Sequence, residues 1–234
     1  MTDFVLAHGA WSSAWAWRKM RPRLRAAGHE LWAESLTGLG ARAHLAGPHV
    51  TLETHIADVL GQLHMEDLRD VVLIGHSYGG MVATGAADRA RDRVRRLIYL
   101  DAFAPEDGES AFDISAPENR ARMEGLIASQ GEGWRIPPNP MPPDTAAEDV
   151  AFAAPRRLHQ PAECFRQPLR MKGGPLTLPI DYIYCTKSGP GDGFRRFRDK
   201  ADANGWGRHD LDASHNPHIT VPDALTDLLL RIAG

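Results

Sequence analysis

The sequence predicts a single α/β domain whose core is a mostly parallel sheet of six strands. Short apolar runs alternate with helical patterns along the chain, which is typical of parallel βα units. Several runs are nearly continuous in Val, Ile, Leu and Tyr, as expected for strands covered on both faces. A length of 234 residues fits one such domain. The predicted strands are Phe4–Ala7, Glu30–Leu36, Val71–Ile74, Arg96–Leu100, Ile180–Cys185 and His209–Leu211.

Two helices are predicted with defined limits. Apolar residues recur from Leu52 to Leu63 with helical spacing, which indicates an amphipathic helix between the second and third strands. The segment Ala224–Ile232 is predicted to be the closing helix, with Pro222 near its first turn and Gly234 after its end. Both helices fit the alternation of strand and helix.

The segment 105–178 interrupts this alternation. Of the 17 prolines in the chain, 12 lie between Ala104 and Pro179. The aromatic and apolar residues of the segment argue against disorder, and a long insertion in a compact domain is usually a lid or a binding loop. We therefore predict a cap, residues 105–178, inserted into a core formed by residues 1–104 and 179–234.

Composition and charge exclude several classes of protein. The chain has 27 Lys and Arg against 30 Asp and Glu, a net charge of −3, which gives no reason to expect nucleic acid as a partner. Its two cysteines are too few for a disulfide framework or a zinc ligand set. There is no basic leader and no apolar run long enough to span a membrane. We predict a cytoplasmic protein whose partner is a small-molecule substrate, without metal or cofactor; a homodimer is compatible with these observations. The arginine-rich run Arg89–Arg96 is predicted to form a solvated face.

The segment VVLIGHSYGG, residues 71–80, contains the pattern G-x-S-x-G between a buried strand and a following helix. Such a turn holds Ser77 in a strained backbone conformation, and Gly75 and Gly79 lack the side chains that would collide where strand and helix nearly touch. The hydroxyl then projects at a helix N-terminus, where backbone NH groups favour a developing anion. The pattern therefore predicts that Ser77 is a nucleophile.

A second glycine-containing loop, VLAHGAW at residues 5–11, follows the first predicted strand. Acyl transfer needs NH donors for the oxyanion of its tetrahedral intermediate. We predict that these donors are the backbone amides of Tyr78, which follows the nucleophile, and of Ala10 in this loop. Trp11 and His76 flank the same site and are predicted to line the substrate pocket.

Five segments together resemble the α/β-hydrolase superfamily, and more narrowly its small-esterase branch, which includes plant methyl esterases and hydroxynitrile lyases. They are VLAHGAWSSAWAW, LTGLGARAH, GHSYGG, YLDAFAPEDGES and ASHNPHITVPDAL. The resemblance covers nearly the whole chain and is weakest across the cap. It implies an α/β-hydrolase fold with six mostly parallel strands, flanking helices and an inserted cap, with Ser77 as the nucleophile.

Eleven histidines compete for the role of general base. The chain order Ser, acid, His in this architecture favours the C-terminal quarter, where the family's motif matches His215. His209 lies within the last predicted strand and is predicted to be structural, whereas His218 lies at the approach to the final helix. His8 and His76 flank the nucleophile and are predicted to line the cleft or to pack beside it.

The acid is the point at which the chain departs from the family. Relatives of this branch usually carry an aspartate just after the penultimate strand, but positions 187–189 here hold Lys, Ser and Gly. Asp192 lies several residues late, and Asp101 lies at the end of the strand that follows the elbow. We predict Asp101 as the acid that orients His215. Asp192, or no acid at all, are the alternatives.

These residues predict a serine hydrolase that cleaves a small or medium hydrophobic carboxylic ester or lactone through an acyl-enzyme on Ser77. The alternative is a non-hydrolytic enzyme on the same scaffold (a lyase, acyltransferase or cyclase), and the missing carboxylate after the penultimate strand is its main support. Gly9 and Asn216 stand where the hydroxynitrile lyases of this branch carry Thr and Lys, which argues against a lyase. A binding module without turnover is a third interpretation, and the intact elbow argues against it.

Overall fold

The computed structural model describes residues 1–188 and 192–234, so Gly189 lies outside the described residues. The strands are β1 (Asp3–Ala7), β2 (Glu30–Trp32), β3 (Val71–His76), β4 (Val94–Leu100), β5 (Arg135–Ile136), β6 (Gln160–Pro161), β7 (Ile180–Cys185) and β8 (Gly207–Leu211). The helices are α1 (Met20–Ala26), α2 (Leu52–Met65), α3 (Gly79–Arg89), α4 (Pro117–Gln130), α5 (Ala147–Ala153), α6 (Glu163–Arg166), α7 (Arg195–Ala203), α8 (Pro217–Thr220) and α9 (Pro222–Ala233). Three short 3₁₀ segments add to these at Ala14–Trp17, Gly40–Leu45 and Ala154–Arg156.

Six strands form the central sheet in the order β2-β1-β3-β4-β7-β8, and each neighbouring pair is parallel. The α/β-hydrolase fold and its six-stranded sheet are therefore confirmed. In this order β3 and β4 are adjacent, with Gly75 opposite Tyr99 and His76 opposite Leu100. Because parallel strands end at the same edge of a sheet, the loops that follow β1, β3, β4 and β8 meet on one side of the molecule.

Both faces of the sheet are covered by helices, which explains why its inner strands are apolar throughout. Successive residues of a strand point to opposite faces: Leu73 packs with the cluster that includes α2, α3 and α7, whereas Val72 and Ile74 pack with α1 and α9. All six residues of β3 are buried. Helix α2 begins at a capping box, in which the side chains and backbone amides of Thr51 and Thr54 pair reciprocally.

The inserted segment between β4 and β7 contains α4, α5, α6 and the two-stranded antiparallel pair β5–β6. Its apolar residues do not form a core of their own, because Phe112, Phe165 and Leu169 are buried in the same cluster as the sheet residues Leu73 and Tyr99. The segment thus packs directly onto the sheet side that also carries α2 and α3. Its division from the core at residues 104/105 and 178/179 stays a prediction.

The second strand is shorter than predicted. β2 ends at Trp32, whereas the predicted strand continued to Leu36. The Leu36 amide donates to His8 Nε2 at 3.0 Å instead of pairing in the sheet. The chain has therefore already turned toward the carboxyl end of β1 at this point, and that turn is made by a contact that is remote in sequence.

The run Arg89–Arg96 is not a solvated face throughout, which corrects the expectation drawn from its charge. Arg93 is only 9% exposed. Its Nη1 donates to the carbonyl oxygens of Leu63 at 3.3 Å and Leu68 at 3.0 Å, and to Asp67 Oδ1 at 3.0 Å. This arginine satisfies carbonyls at the C-terminal end of α2 and ties them to the start of β4.

We expect Gly80→Ala to lower the free energy of unfolding by about 1–3 kcal/mol, because overpacking forces neighbouring atoms to shift. A Cβ at this position in the first turn of α3 would overlap the carbonyl oxygen of Phe103. Urea unfolding followed by circular dichroism measures the change. The control is Gly61→Ala in α2, where no described atom lies within 4 Å of the added Cβ, and which should raise stability by about 0.5–1 kcal/mol. Equal losses in the two variants would contradict the packing argument.

Candidate active site

The strand-to-helix turn that carries Ser77 is held by close backbone packing. Ser77 has φ of +55°, a left-handed conformation that non-glycine residues adopt only where the surroundings enforce it. A Cβ at Gly75 would lie 2.8 Å from Gly80 Cα, and one at Gly79 would overlap the carbonyl oxygen of Ala7. Glycine is therefore required where α3 touches β3 and β1, and the turn presents the serine side chain above the carboxyl end of the sheet.

Three side chains from three strand ends form a continuous hydrogen-bond chain. Ser77 Oγ lies 2.9 Å from His215 Nε2, and His215 Nδ1 lies 2.7 Å from Asp101 Oδ2. A carboxylate accepts, so the geometry assigns the proton to Nδ1 and leaves Nε2 free to accept the serine hydroxyl proton. Asp101 is completely buried, whereas the side chain of His215 is 33% exposed.

The backbone around Asp101 aims its carboxylate. The Asp101 amide donates to the carbonyl of Ile183 at 2.7 Å, which extends the pairing of β4 with β7, and its φ is +43°. The amide of Cys185 donates to Oδ1 at 3.2 Å, which leaves Oδ2 for His215. The buried Asp101 carboxylate is thus satisfied by two NH donors, the Cys185 amide and His215 Nδ1, and neither comes from a lysine or an arginine.

Asp192 has different partners. Its Oδ1 accepts from the amides of Phe194 at 2.9 Å and Arg195 at 3.2 Å, and its Oδ2 accepts from the Tyr184 hydroxyl. These contacts place it at the start of α7, where a carboxylate satisfies free amides. In residues 1–188 and 192–234 it makes no hydrogen bond to His215.

The amides predicted to hold an oxyanion are free of protein acceptors. Within the part of the chain that the structure describes, neither Ala10 N nor Tyr78 N donates a hydrogen bond. The neighbouring amide of Trp11 instead donates to Gln160 Oε1 at 3.3 Å, and its indole Nε1 donates to the Ile136 carbonyl at 2.9 Å. The indole is therefore anchored to the β5–β6 pair, and Trp11 has φ of +57°. Ser77, Asp101 and Trp11 are three of the six described non-glycine residues with positive φ.

Buried histidines surround the Ser–His pair and are neutral. His76 Nε2 donates to the carbonyl oxygen of His215 at 2.8 Å, so it holds the loop that carries His215. His218 stacks on Trp17 with ring centroids 4.6 Å apart. Burial lowers the pKa of His8 to about 4 and of His218 to about 3, and, together with neighbouring histidines, it depresses the pKa of His76 well below its ordinary value.

A cavity of about 400 Å³ opens onto Ser77 and His215. The predicted pocket residues Trp11 and His76 both line it. Most of its other walls are apolar, and no local pattern in the sequence assigned these residues to the pocket. They are Trp15, Phe103, Met123, Met141, Phe165, Phe194 and Ile219. Phe194 also stacks on the His215 ring at a centroid distance of 4.9 Å.

Two observations concern metal binding and membrane insertion. Among the described residues, no group of three or more His, Cys, Asp or Glu side chains is arranged to hold a metal ion. Of the helices that the structure describes, none is long and apolar enough to cross a membrane.

We expect stability to fall as the pH drops from about 6.5 toward 4, because the buried histidines bind protons in the unfolded chain but not in the folded one. At pH 5 each such histidine should lower the free energy of unfolding by roughly 2 kcal/mol relative to its value at neutral pH. His218→Phe keeps a ring stacked on Trp17 and removes one of these groups, so its loss of stability between pH 7 and pH 5 should be smaller by about that amount. Urea unfolding of both proteins at each pH measures the slope; parallel slopes would contradict this account.

Known proteins resemble this chain, one of them along nearly its whole length. It is 37% identical over 241 residues to a carbendazim-hydrolysing esterase of Nocardioides sp. (strain SG-4G), an alignment that covers 99% of this chain and 100% of that protein. It is 34% identical over 134 residues to methylesterase 2 of Arabidopsis thaliana, covering 56% of this chain and 51% of the relative.

The fold has close counterparts among solved structures. An extracellular α/β-hydrolase from a Paenibacillus species, described as sharing structural and functional homology with tobacco salicylic acid-binding protein 2, matches with a TM-score of 0.85 at 26% identity. That match covers 99% of this chain and 98% of the other. The sequence profile of the alpha/beta hydrolase family matches residues 4–228. These findings confirm the resemblance to the methyl esterases, and the chain belongs to the α/β hydrolase family.

Proposed function

We propose that this protein is a carboxylic ester hydrolase that works through an acyl-enzyme on Ser77. The observation that carries the proposal is the chain of hydrogen bonds from Ser77 through His215 to the buried Asp101, with distances of 2.9 and 2.7 Å. The similarity to a carbendazim-hydrolysing esterase over the full chain and to plant methyl esterases supports the same activity.

The proposed reaction has two halves. In the first, His215 Nε2 takes the proton of Ser77 as Oγ attacks the ester carbonyl, and Asp101 stabilises the imidazolium that forms. The amides of Ala10 and Tyr78 hold the oxyanion, and His215 returns the proton to the departing alcohol. In the second half, water that loses a proton to His215 attacks the acyl group, and His215 returns that proton to Ser77 Oγ as the bond to the acid product breaks.

The cavity supports a small or medium hydrophobic ester or lactone as the substrate. Its volume of about 400 Å³ fits a small molecule, and aromatic side chains form much of its wall. Phe165 and Phe103 come from the inserted segment or its border, so the proposed cap contributes to the pocket. A small-molecule substrate as the partner and a cytoplasmic place of action are parts of this proposal.

The non-hydrolytic alternative loses its main support. It depended on the absence of a carboxylate after the penultimate strand, but His215 Nδ1 has a carboxylate partner in Asp101, which follows β4 instead. A Cβ at Gly9 would lie 3.1 Å from the Ser77 Cβ and 2.9 Å from His76 Nδ1. A threonine at position 9, which the lyases of this branch carry, would therefore require these neighbours to shift.

Ser77→Ala should lower kcat for hydrolysis of a short-chain p-nitrophenyl ester by roughly 10³- to 10⁶-fold. The wild-type protein should also gain the mass of one phosphonyl group from a serine-directed phosphonate, located on the Ser77 peptide by mass spectrometry. The control is Ser129→Ala, at an exposed serine of α4 whose hydroxyl donates to the Gly125 carbonyl. This variant should keep both the turnover and the phosphonate labelling of Ser77. Unchanged turnover in Ser77→Ala would contradict the proposal.

Asp101→Asn should lower kcat by about 10⁴-fold with little change in KM, because the neutral amide neither fixes the tautomer nor stabilises the imidazolium. Asp192→Asn should stay within about threefold of wild type, because its carboxylate bonds groups at the start of α7 and not His215. Steady-state kinetics on the same ester compares the two variants. A large loss in Asp192→Asn together with an active Asp101→Asn would reverse the assignment of the acid.

A further inference from the structure

The cavity above Ser77 has an uneven charge balance. Among the described residues that line it there is one arginine, Arg157, and no lysine, aspartate or glutamate. Arg157 directly follows the 3₁₀ segment Ala154–Arg156, so it belongs to the inserted segment. The net charge that this wall presents to a bound molecule is therefore positive.

The guanidinium of Arg157 is half-buried and forms no ion pair in the described part of the chain. Its Nη1 donates to the backbone carbonyl of Asn139, another residue of the cavity wall. Burial lowers the pKa of Arg157 from its ordinary value, and no acidic side chain acts in the opposite direction. A guanidinium has five N–H donors, so one carbonyl leaves most of them without a protein acceptor.

Two other arginines of the inserted segment do have carboxylate partners. Arg120 contacts Asp113 at 3.2 Å, and Arg166 contacts Glu124 at 2.7 Å. Each of these cations lies beside a carboxylate on the outer surface. Arg157 is more enclosed than they are and has no such partner, although removing a cation from water without a counter-ion is unfavourable.

The neighbouring histidines do not explain the charge. His76 and His218, which line the same cavity, have pKa values far below neutrality, so both imidazoles are uncharged near pH 7. They neither compete with Arg157 for an anion nor provide one. The amide side chain of Asn139 is already engaged, because its Oδ1 accepts from Arg122 Nη2 at 3.0 Å.

We propose that Arg157 is a specificity residue that binds an anionic acceptor, a carboxylate, on the substrate ester. This inference rests on the proposed hydrolysis at Ser77. The preferred substrate then has an ester at one end, an apolar body against the aromatic wall and a carboxylate at the other end. The planar fork of a guanidinium matches the two oxygens of a carboxylate, which an apolar wall alone does not select.

The test uses pairs of p-nitrophenyl esters of linear dicarboxylic acids, from succinate to suberate. In each pair the far carboxyl is either free or capped as a methyl ester, and p-nitrophenol release is corrected for hydrolysis without protein. We expect wild type to favour the free acid in kcat/KM by roughly tenfold at its best chain length, as for a charged hydrogen bond. Added salt should reduce this ratio.

Variants assign the preference to one side chain. Arg157→Gln should lower the free-acid to capped-ester ratio about tenfold, mainly through KM of the free acid. Arg157→Lys keeps the charge without the fork and should give an intermediate ratio. Arg156→Gln is the matched control: Arg156 is exposed, bonds the Phe152 carbonyl at 2.7 Å and lies outside this cavity, so the ratio should not change.

Turnover of the capped ester reports folding within the same assay, because it does not need the guanidinium. A wild-type protein with no preference for the free acid at any chain length overturns the inference, whatever the variants do. So does a preference that survives in Arg157→Gln. If wild type shows no Ser77-dependent turnover of the capped ester, the proposed function fails; if that turnover is present and the ratio is near unity, only the role of Arg157 fails.

Discussion

The close approach of the first turn of α3 to the ends of β1, β3 and β4 is the constraint on which the site depends. Side chains at Gly75, Gly79 and Gly80 would collide with backbone or with neighbouring side chains. The Ser77 carbonyl accepts from the Phe103 amide at 3.1 Å, so the turn is also bound to the chain that leaves β4. These contacts hold the serine in a left-handed conformation at a cost of order 1 kcal/mol that the surrounding sheet offsets.

The strand order of the parallel sheet then determines which carboxylate lies within hydrogen-bond distance of His215. Because β4 lies between β3 and β7, Asp101 at its end lies beneath the loop that carries His215 and beside the serine. The Cys185 amide of β7 orients the carboxylate, so the strand that carries the acid in relatives here contributes a backbone donor. The His215 imidazole is contacted from a neighbouring strand, and the chain order Ser, Asp, His is preserved.

Local patterns predicted the strand positions, the elbow and the histidine because each has a signal within a few residues. The limits of β2 were wrong because the turn before Leu36 depends on His8, which is distant in sequence. The expectation that Arg93 is solvated was wrong because Arg93 donates to carbonyls at and just after the C-terminal end of α2, which are distant from it in sequence. Pocket walls such as Phe194 escaped prediction since nothing local marks a residue that packs on a distant imidazole.

The sequence by itself determined the α/β class, the family, the position of Ser77 in the strand-to-helix turn and the match of His215, because glycine spacing and strand patterns are local. Only the tertiary structure separated Asp101 from Asp192: both are aspartates near strand ends, and strand order decides which one lies 2.7 Å from His215. It likewise decided that Arg157 lines the cavity with no carboxylate partner among residues 1–188 and 192–234. Charge pairing is a property of three-dimensional neighbours, and no local pattern in a sequence encodes it.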